Sequence, residues 1–195
     1  KVTKEDIPAA TQLFTPRWIV EYMAQNSVGK LWKKSKPSST ITSDFKYYIE
    51  SESEQDKDSY TVSSPEEITL IDPACGSGHI LVYGFDILTQ IYEEEGYSTK
   101  EIPKLILSKN LTGIDIDERA AQLAAFALMM KARSYHRRFF RNPVLPNVVA
   151  LSDYSLTEEE QADFCNKAKI TLSTTLQDDL QLMRKATNLG SLITP

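Results

Sequence analysis

"TLIDPACGSGHILV", residues 69–82, runs an apolar segment into an aspartate, then a loop of small residues, then the start of a helix. The segment "ITLID" (68–72) has the length and apolar character of a short buried strand. A glycine loop between strand and helix sets free backbone N–H groups at the helix's positive end, and Gly76 and Gly78, lacking Cβ, let a ligand approach. That much suits several anions. Asp72, at the mouth of the loop, narrows the choice. A carboxylate about 4 Å from a pyrophosphate charge costs roughly 4 kcal/mol at an effective dielectric near 20, so it favours a ligand with positive charge at that point. A plain loop-capping role for Asp72 is the competing reading. Leu81 stands where a G-x-G-x-x-G fingerprint has its third glycine, which weakens a nicotinamide–dinucleotide reading.

A second acid lies downstream. "LTGIDI" (111–116) reads as the next strand, ending on Asp115 and Ile116. In doubly wound sheets an acid at the tip of the second strand takes ribose hydroxyls, and Ile116 then lies against the adenine face. Asp72 and Asp115 together fit S-adenosylmethionine, whose ammonium and sulfonium suit the first acid and whose ribose suits the second. The Gly78-to-Asp115 spacing exceeds the roughly 20 residues of the dinucleotide pattern, and an extra helix over 101–109 accounts for the excess. Asp117 reads as the N-cap of the following helix.

The surrounding pattern is strand, helix, helix, strand, helix, strand. "HILVYGFDILTQIYEEEG" is helical and ends at Gly96, "EIPKLILSKN" forms a second helix, residues 118–133 a third, and "NVVAL" (147–151) the third strand. The predicted fold class is α/β: a partial Rossmann-like sheet of three parallel strands with flanking helices, preceded by a helical N-terminal segment. "AAQLAAFALMMKA" is apolar on nearly every side and is expected to be buried between the sheet and another layer.

Upstream, "LFTPRWIVEYM" (13–23) reads as a capped helix, with Thr15 as N-cap, Pro16 first in the helix, and Phe14 and Ile19 at hydrophobic-staple spacing. The helix is expected to end near Val28, with Gly29 as its stop. Residues 36–67 turn polar, with "FKYYI" (45–49) a possible short edge strand and "ESESEQDKDS" (50–59) a loop. Thr157 and Glu160 have capping-box spacing, and "TTLQDDLQLMRKATNLG" reads as a helix ending at Gly190. The expected organisation is a helical segment over 1–35, a polar connector over 36–67, an α/β core over 68–155 and a helical segment over 156–195.

Composition is that of an ordinary globular chain, 41% hydrophobic and 25% charged. No stretch reaches the roughly 18 apolar residues of a membrane span, and the start carries no secretory signal. Two cysteines without metal or disulfide spacing suit a reducing cytoplasm. A net charge of −5 places any broad DNA-gripping face outside this chain, and Lys1 in place of an initiator Met suggests a piece of a longer protein.

"DPACGSGHIL", with "LFTPRWIVEYM" before it and "GIDIDERAAQLAAFALMMKAR" after it, resembles the cofactor-binding part of adenine-N6 DNA methyltransferases in which the TP-containing segment comes first. Within that group the likeness is to the methyltransferases of BREX-type phage defence and of type IIG restriction-modification. It covers roughly residues 10–32 and 68–134 and, more loosely, 186–193. The resemblance implies that Thr15 and Pro16 touch the methionine end of S-adenosylmethionine. Asp72, Ala74, Gly76 and Gly78 would cradle it, Asp115 would hold the ribose and Ile116 flank the adenine. Asp153 in "VALSDYS" would reach the adenine amino group, or is a plain turn residue.

The family transfers the methyl group with an N-P-P-Y-type motif after a fourth strand, the target base being flipped from the duplex. Here "RNPVLPN" (141–147) differs: Val144 replaces the second proline, no aromatic follows, and the stretch precedes the third strand. "GSLITP" (190–195) resembles the segment just before the catalytic motif. The expectation is a fragment that holds cofactor and has no catalytic residue of its own, its parent acting on double-stranded DNA beside other defence-system proteins. The alternative is a subunit that binds cofactor as a scaffold and never catalyses.

His79 reads as a helix-start residue and Cys75 as a small loop residue without a basic partner. His136 lies among Lys131, Arg133, Arg137, Arg138 and Arg141. That cluster reads as a solvated helix end favoured by the dipole, with contact to a DNA phosphate as the other reading.

Overall fold

The computed structural model describes residues 15–50, 60–151, 157–170 and 173–183. Phe14, most of the acidic 50–59 loop, Asp153 and residues 184–195, with Gly190 and "GSLITP", lie outside them. The chain divides into two units, Lys1–Ala150 and Leu151–Pro195.

The first unit is built on three strands: β1 (Leu70–Asp72), β2 (Leu111–Asp115) and β3 (Asn147–Ala150). All are parallel, in the order β1-β2-β3, with Asp72 opposite Gly113 and Asp115 opposite Ala150. The N-terminal helices are α1 (Arg17–Ala24) and α2 (Lys30–Ser35). Between the strands run α3 (His79–Glu94), a short α4 (Ile102–Leu105) and α5 (Glu118–Tyr135). Both β-to-β connections cross the sheet in one direction, and right-handed crossovers then place α3 and α5 on a single face. They pack on each other, and both pack on β2. This is a partial Rossmann-like sheet with a helical N-terminal segment. On the face away from α3 and α5, Ile71 is 58% and Val149 49% exposed.

The core follows from helical spacing. Leu81, Phe85, Leu88 and Tyr92 recur at four, three and four residues along α3 and are fully buried. Each such side chain contributes about 1.5–3 kcal/mol when buried. On α5, Ala120, Ala124, Leu128 and Ala132 form the inner stripe. Leu123, Phe126 and Met130 on its other side are exposed. The expectation that this helix is covered all round is therefore corrected: among the described residues one face is buried and the opposite apolar face is not.

Three further readings change. The N-cap of α1 is Pro16, with ψ 142°, and no side chain caps it. A residue before proline is driven to extended backbone, which moves Thr15 one step outside the helix. The Pro16 carbonyl instead accepts from the Ile19 and Val20 N–H groups, at 2.9 and 3.3 Å. Gly29 is no stop: the chain passes through a π-helical turn at Gln25–Gly29 directly into α2. A Cβ on Gly29 would meet the Phe45 ring at 2.5 Å, so glycine serves close packing here. "FKYYI" forms no strand. Tyr47 N–H donates to Gln25 Oε1 at 2.8 Å and Ile49 N–H to Asn26 Oδ1 at 2.9 Å. Alternate N–H groups thus find two side-chain amides on the helix in place of a neighbouring strand.

The chain after Lys36 is anchored by Glu94, the last residue of α3. It accepts from Trp32 Nε1 at 3.1 Å, Ser39 Oγ at 2.6 Å and Thr40 N at 2.7 Å. Buried Asn110 ends the π-helical turn Ile106–Asn110 that follows α4. It donates to the Pro65 and Ile68 carbonyls and accepts from Tyr92 Oη, so all three bonds hold the entry to the sheet.

The second unit holds α6 (Glu158–Ala168) and α7 (Thr174–Met183). The capping box forms as its spacing predicts: Thr157 Oγ1 accepts from Glu160 N–H while the Glu160 carboxylate accepts from Thr157 N–H. Lys169 ends α6 in the left-handed region at φ 55°, and Ile170 N–H closes back on Cys165 O at 2.9 Å. Among the described residues no helix is long and apolar enough to cross a membrane, and no group of His, Cys, Asp and Glu could hold a metal ion.

Candidate functional site

Parallel strands deliver their C-terminal tips to one edge of the sheet, and both acids sit there. Asp72 ends β1 and Asp115 ends β2 two residues beyond Asp72's partner Gly113. Both are nearly buried, at 8% and 9% exposure. Burial holds the Asp72 carboxyl above the usual range; an N–H from Ala74 pulls it down and the charge of Asp115 pushes it up. The two carboxylates therefore share one field.

The glycine loop between β1 and α3 is tied to β2. Cys75 N–H donates to Ile114 O at 2.9 Å and Gly76 N–H to Asp115 Oδ2 at 2.7 Å. Ala74 N–H returns to Asp72 Oδ1 at 3.2 Å, and Gly78 N–H to Cys75 O at 2.7 Å. Four of the loop's amides are thus bonded inside the protein and are not among those offered to an anion. What the loop presents instead is two partly satisfied carboxylates beside open space.

The two glycines do different things. Gly76 has φ 52°, and a Cβ added there meets nothing within 4 Å. Gly78 has φ 83°, and its Cβ would lie 2.9 Å from Ala124 Cβ and 3.1 Å from Ala124 Cα on α5. Gly76 opens onto the site, while Gly78 lets α5 close against the loop. Cys75 is buried, and burial with the charges of Asp115 and Asp72 pushes its thiol up to about 11. It stays protonated at neutral pH and is no nucleophile. Ser77 Oγ lies 3.0 Å from His79 Nδ1 at the start of α3.

Asp115 Oδ1 accepts from Asp117 N–H at 2.8 Å, and Asp117 caps α5 by accepting from Arg119 N–H at 2.8 Å, as its position predicts. Ile116, between them, is 61% exposed at the tip of β2. Thr15 and Pro16 lead into α1, which packs on α3. Gln25 Nε2 bonds Tyr83 Oη at 2.8 Å near the start of α3, and Trp32 reaches Glu94 at its end. The N-terminal helices therefore pack along α3, with Gln25 near its start and Trp32 at its end. Of the nine residues singled out from sequence, only Asp153 lies outside the described residues.

Sequence reading missed the Gly76–Asp115 bond and the Gln25–Tyr83 contact. Both join residues 39 and 58 positions apart, where no local periodicity reports them.

A family profile described as "MmeI, DNA-methyltransferase domain" matches residues 50–166. The chain is 49% identical over 162 residues to the adenine-specific methyltransferase BrxX of Escherichia coli O9:H4 (strain HS), covering 80% of this chain and 13% of that protein. It is 42% identical over 206 residues to the adenine-specific methyltransferase PglX of Lacticaseibacillus casei (strain Zhang), covering 100% of this chain and 17% of that protein. The chain thus spans well under a quarter of the length of either relative. A glycine loop pinned between two strand-tip acids, inside a profile match over more than half the sequence, places the chain in the MmeI DNA-methyltransferase-domain family.

Proposed function

We propose that this chain is the S-adenosylmethionine-binding part of a DNA adenine-N6 methyltransferase from a phage-defence or restriction system. The observation that carries this is the pair of nearly buried carboxylates, Asp72 and Asp115, flanking the open side of Gly76. The fit to the cofactor follows from their donor sets. Asp72 has one N–H partner and a raised pKa, so a neighbouring ammonium relieves it. Asp115 uses one lone pair on each oxygen for Gly76 and Asp117. A carboxylate has about four such positions, so one remains on each oxygen for two vicinal ribose hydroxyls.

In this reading Thr15 and Pro16 bound the methionine end, Ala74, Gly76 and Gly78 shape the loop, and Ile116 lies on the adenine ring. Asp153 takes the adenine amino group. When bound, the cofactor supplies an electrophilic methyl group on a sulfonium sulfur. These residues hold and orient it, which raises the effective concentration of that methyl at a target base. Residues 1–195 contain no N-P-P-Y-type sequence, so the chain alone binds cofactor without methylating DNA. The intact protein acts on double-stranded DNA together with other proteins of its system.

Calorimetric titration of S-adenosylmethionine and of NAD into the chain tests this. Binding of the first and not the second is expected, and Asp115→Ala should weaken it by about 1.5–3 kcal/mol, the worth of hydrogen bonds to a charged group. Preference for NAD, or unchanged affinity in a folded Asp115→Ala variant, overturns the reading.

A further inference from the structure

Helix α5 carries the chain about 27 Å from the strand tips, at 1.5 Å for each of its 18 residues, to the opposite edge of the sheet. There Arg133, Arg137, Arg138 and Arg141 line a cavity of about 650 Å³ together with Phe140. Among the described residues no carboxylate lines it. None of the four arginines takes part in an ion pair among the described residues. Lys131, the remaining cation of the cluster, is committed elsewhere, 2.6 Å from Asp86.

The helix dipole does not account for this. It favours a cation in the last turn of α5, and Arg133 is that residue. Arg137, Arg138 and Arg141 lie past the helix end. Their turn is fixed by Phe139 N–H to His136 O at 2.8 Å and Arg141 N–H to Arg138 O at 3.0 Å, with Phe139 fully buried beneath it. Four guanidinium groups held around one space, in a chain of net charge −5, repel one another until an anion enters. Arginine's planar fork matches phosphate oxygens two at a time, and Phe140, 48% exposed, offers an apolar ring beside them.

We infer that this arginine-lined cavity binds the phosphodiester backbone of duplex DNA at a site separate from the cofactor edge. The choice of duplex DNA among polyanions rests on the proposed function. At 3.4 Å per base step the separation corresponds to about eight base pairs. The phosphates taken here thus belong to a stretch of duplex away from the one that presents a base at the strand tips.

The test is fluorescence anisotropy of a labelled 30-base-pair duplex titrated with the 195-residue chain, at salt from about 50 to 200 mM. The Arg137→Gln/Arg138→Gln variant should bind at least tenfold more weakly, with a slope of log affinity against log salt smaller by about 2, one for each phosphate no longer neutralised. Its affinity for S-adenosylmethionine should equal that of the parent chain. A failure in cofactor binding is thereby read apart from a failure here. No measurable duplex binding by the parent chain, or an unchanged affinity and salt slope in the folded variant, overturns the inference. So does equal binding of poly-glutamate of the same charge, which would assign the cavity to an acidic protein surface.

Discussion

Asp72 and Glu94 sit at opposite ends of α3's reach across the sheet, and their environments are inverted. Asp72 is nearly buried and accepts one hydrogen bond, from Ala74 N–H. Glu94 is exposed and accepts from Trp32, Ser39 and twice from Thr40. Burial pushes both carboxyls up. At Asp72 it wins, aided by Asp115, and the pKa is raised; at Glu94 the hydrogen bonds outweigh it, and the pKa is lowered. A carboxylate kept for structure is given its donors by the protein. One that is buried and left short keeps capacity for something that arrives later.

The largest expected effect tests the loop edge. Gly78→Ala combines a left-handed backbone, about 1–2 kcal/mol, with a Cβ pressed against Ala124. It should destabilise the chain by about 3 kcal/mol in urea titration. Gly76→Ala meets open space and should cost only about 1 kcal/mol, for the backbone alone. Equal losses at both positions would mean that α5 does not rest on the loop.

Glu94→Ala comes next, at about 2 kcal/mol, because fully buried Trp32 loses the partner of its N–H while water replaces the exposed bonds. Its pH behaviour has a defined sign. The folded pKa lies below the unfolded value, so Glu94's contribution is present above the unfolded carboxyl range and is lost as pH falls through the folded value. Asp72 works the other way. Its folded pKa is raised, so the stabilisation from its protonated form is complete below the unfolded value and is lost as pH rises through the folded one. Asp72→Asn should therefore stabilise the chain slightly at neutral pH and flatten that branch of the stability profile, while weakening the binding of S-adenosylmethionine. A destabilised Asp72→Asn chain would make Asp72 a structural acid and remove the contrast with Glu94.

The inversion also explains which parts could be read from sequence. The loop edge was legible because backbone geometry demands residue types. Positive φ at Gly76 and Gly78 wants glycine, and parallel strand tips put Asp72 and Asp115 side by side at any loop length between them. The alternation of strands and helices carried the three-stranded sheet in the same way. At the other edge the partners are distant in sequence. Glu94's donors lie 54 to 62 residues away, and nothing near "YEEEG" announces them. "FKYYI" read as an edge strand, but the chain turns at Lys46–Tyr47, and Gln25 and Asn26 take the N–H groups that a neighbouring strand would have taken. Gly29 signalled a break and was in fact needed for the Phe45 ring. For the arginines, the residue pattern showed a cluster near a helix end, and only the fold turned four of them toward one cavity and sent Lys131 to Asp86.

The smallest stability effect belongs to those arginines, and its smallness is informative. Arg137 and Arg138 are exposed and make no ion pair among the described residues. Replacing both with glutamine should move stability by no more than about 0.5 kcal/mol in either direction, with relief of their mutual repulsion favouring a slight gain. A loss of about 2 kcal/mol would show that the guanidinium groups brace the turn at Phe139–Arg141, and the cavity would then be a by-product of packing. Retained stability would mean that the fold does not need the charges gathered at this edge.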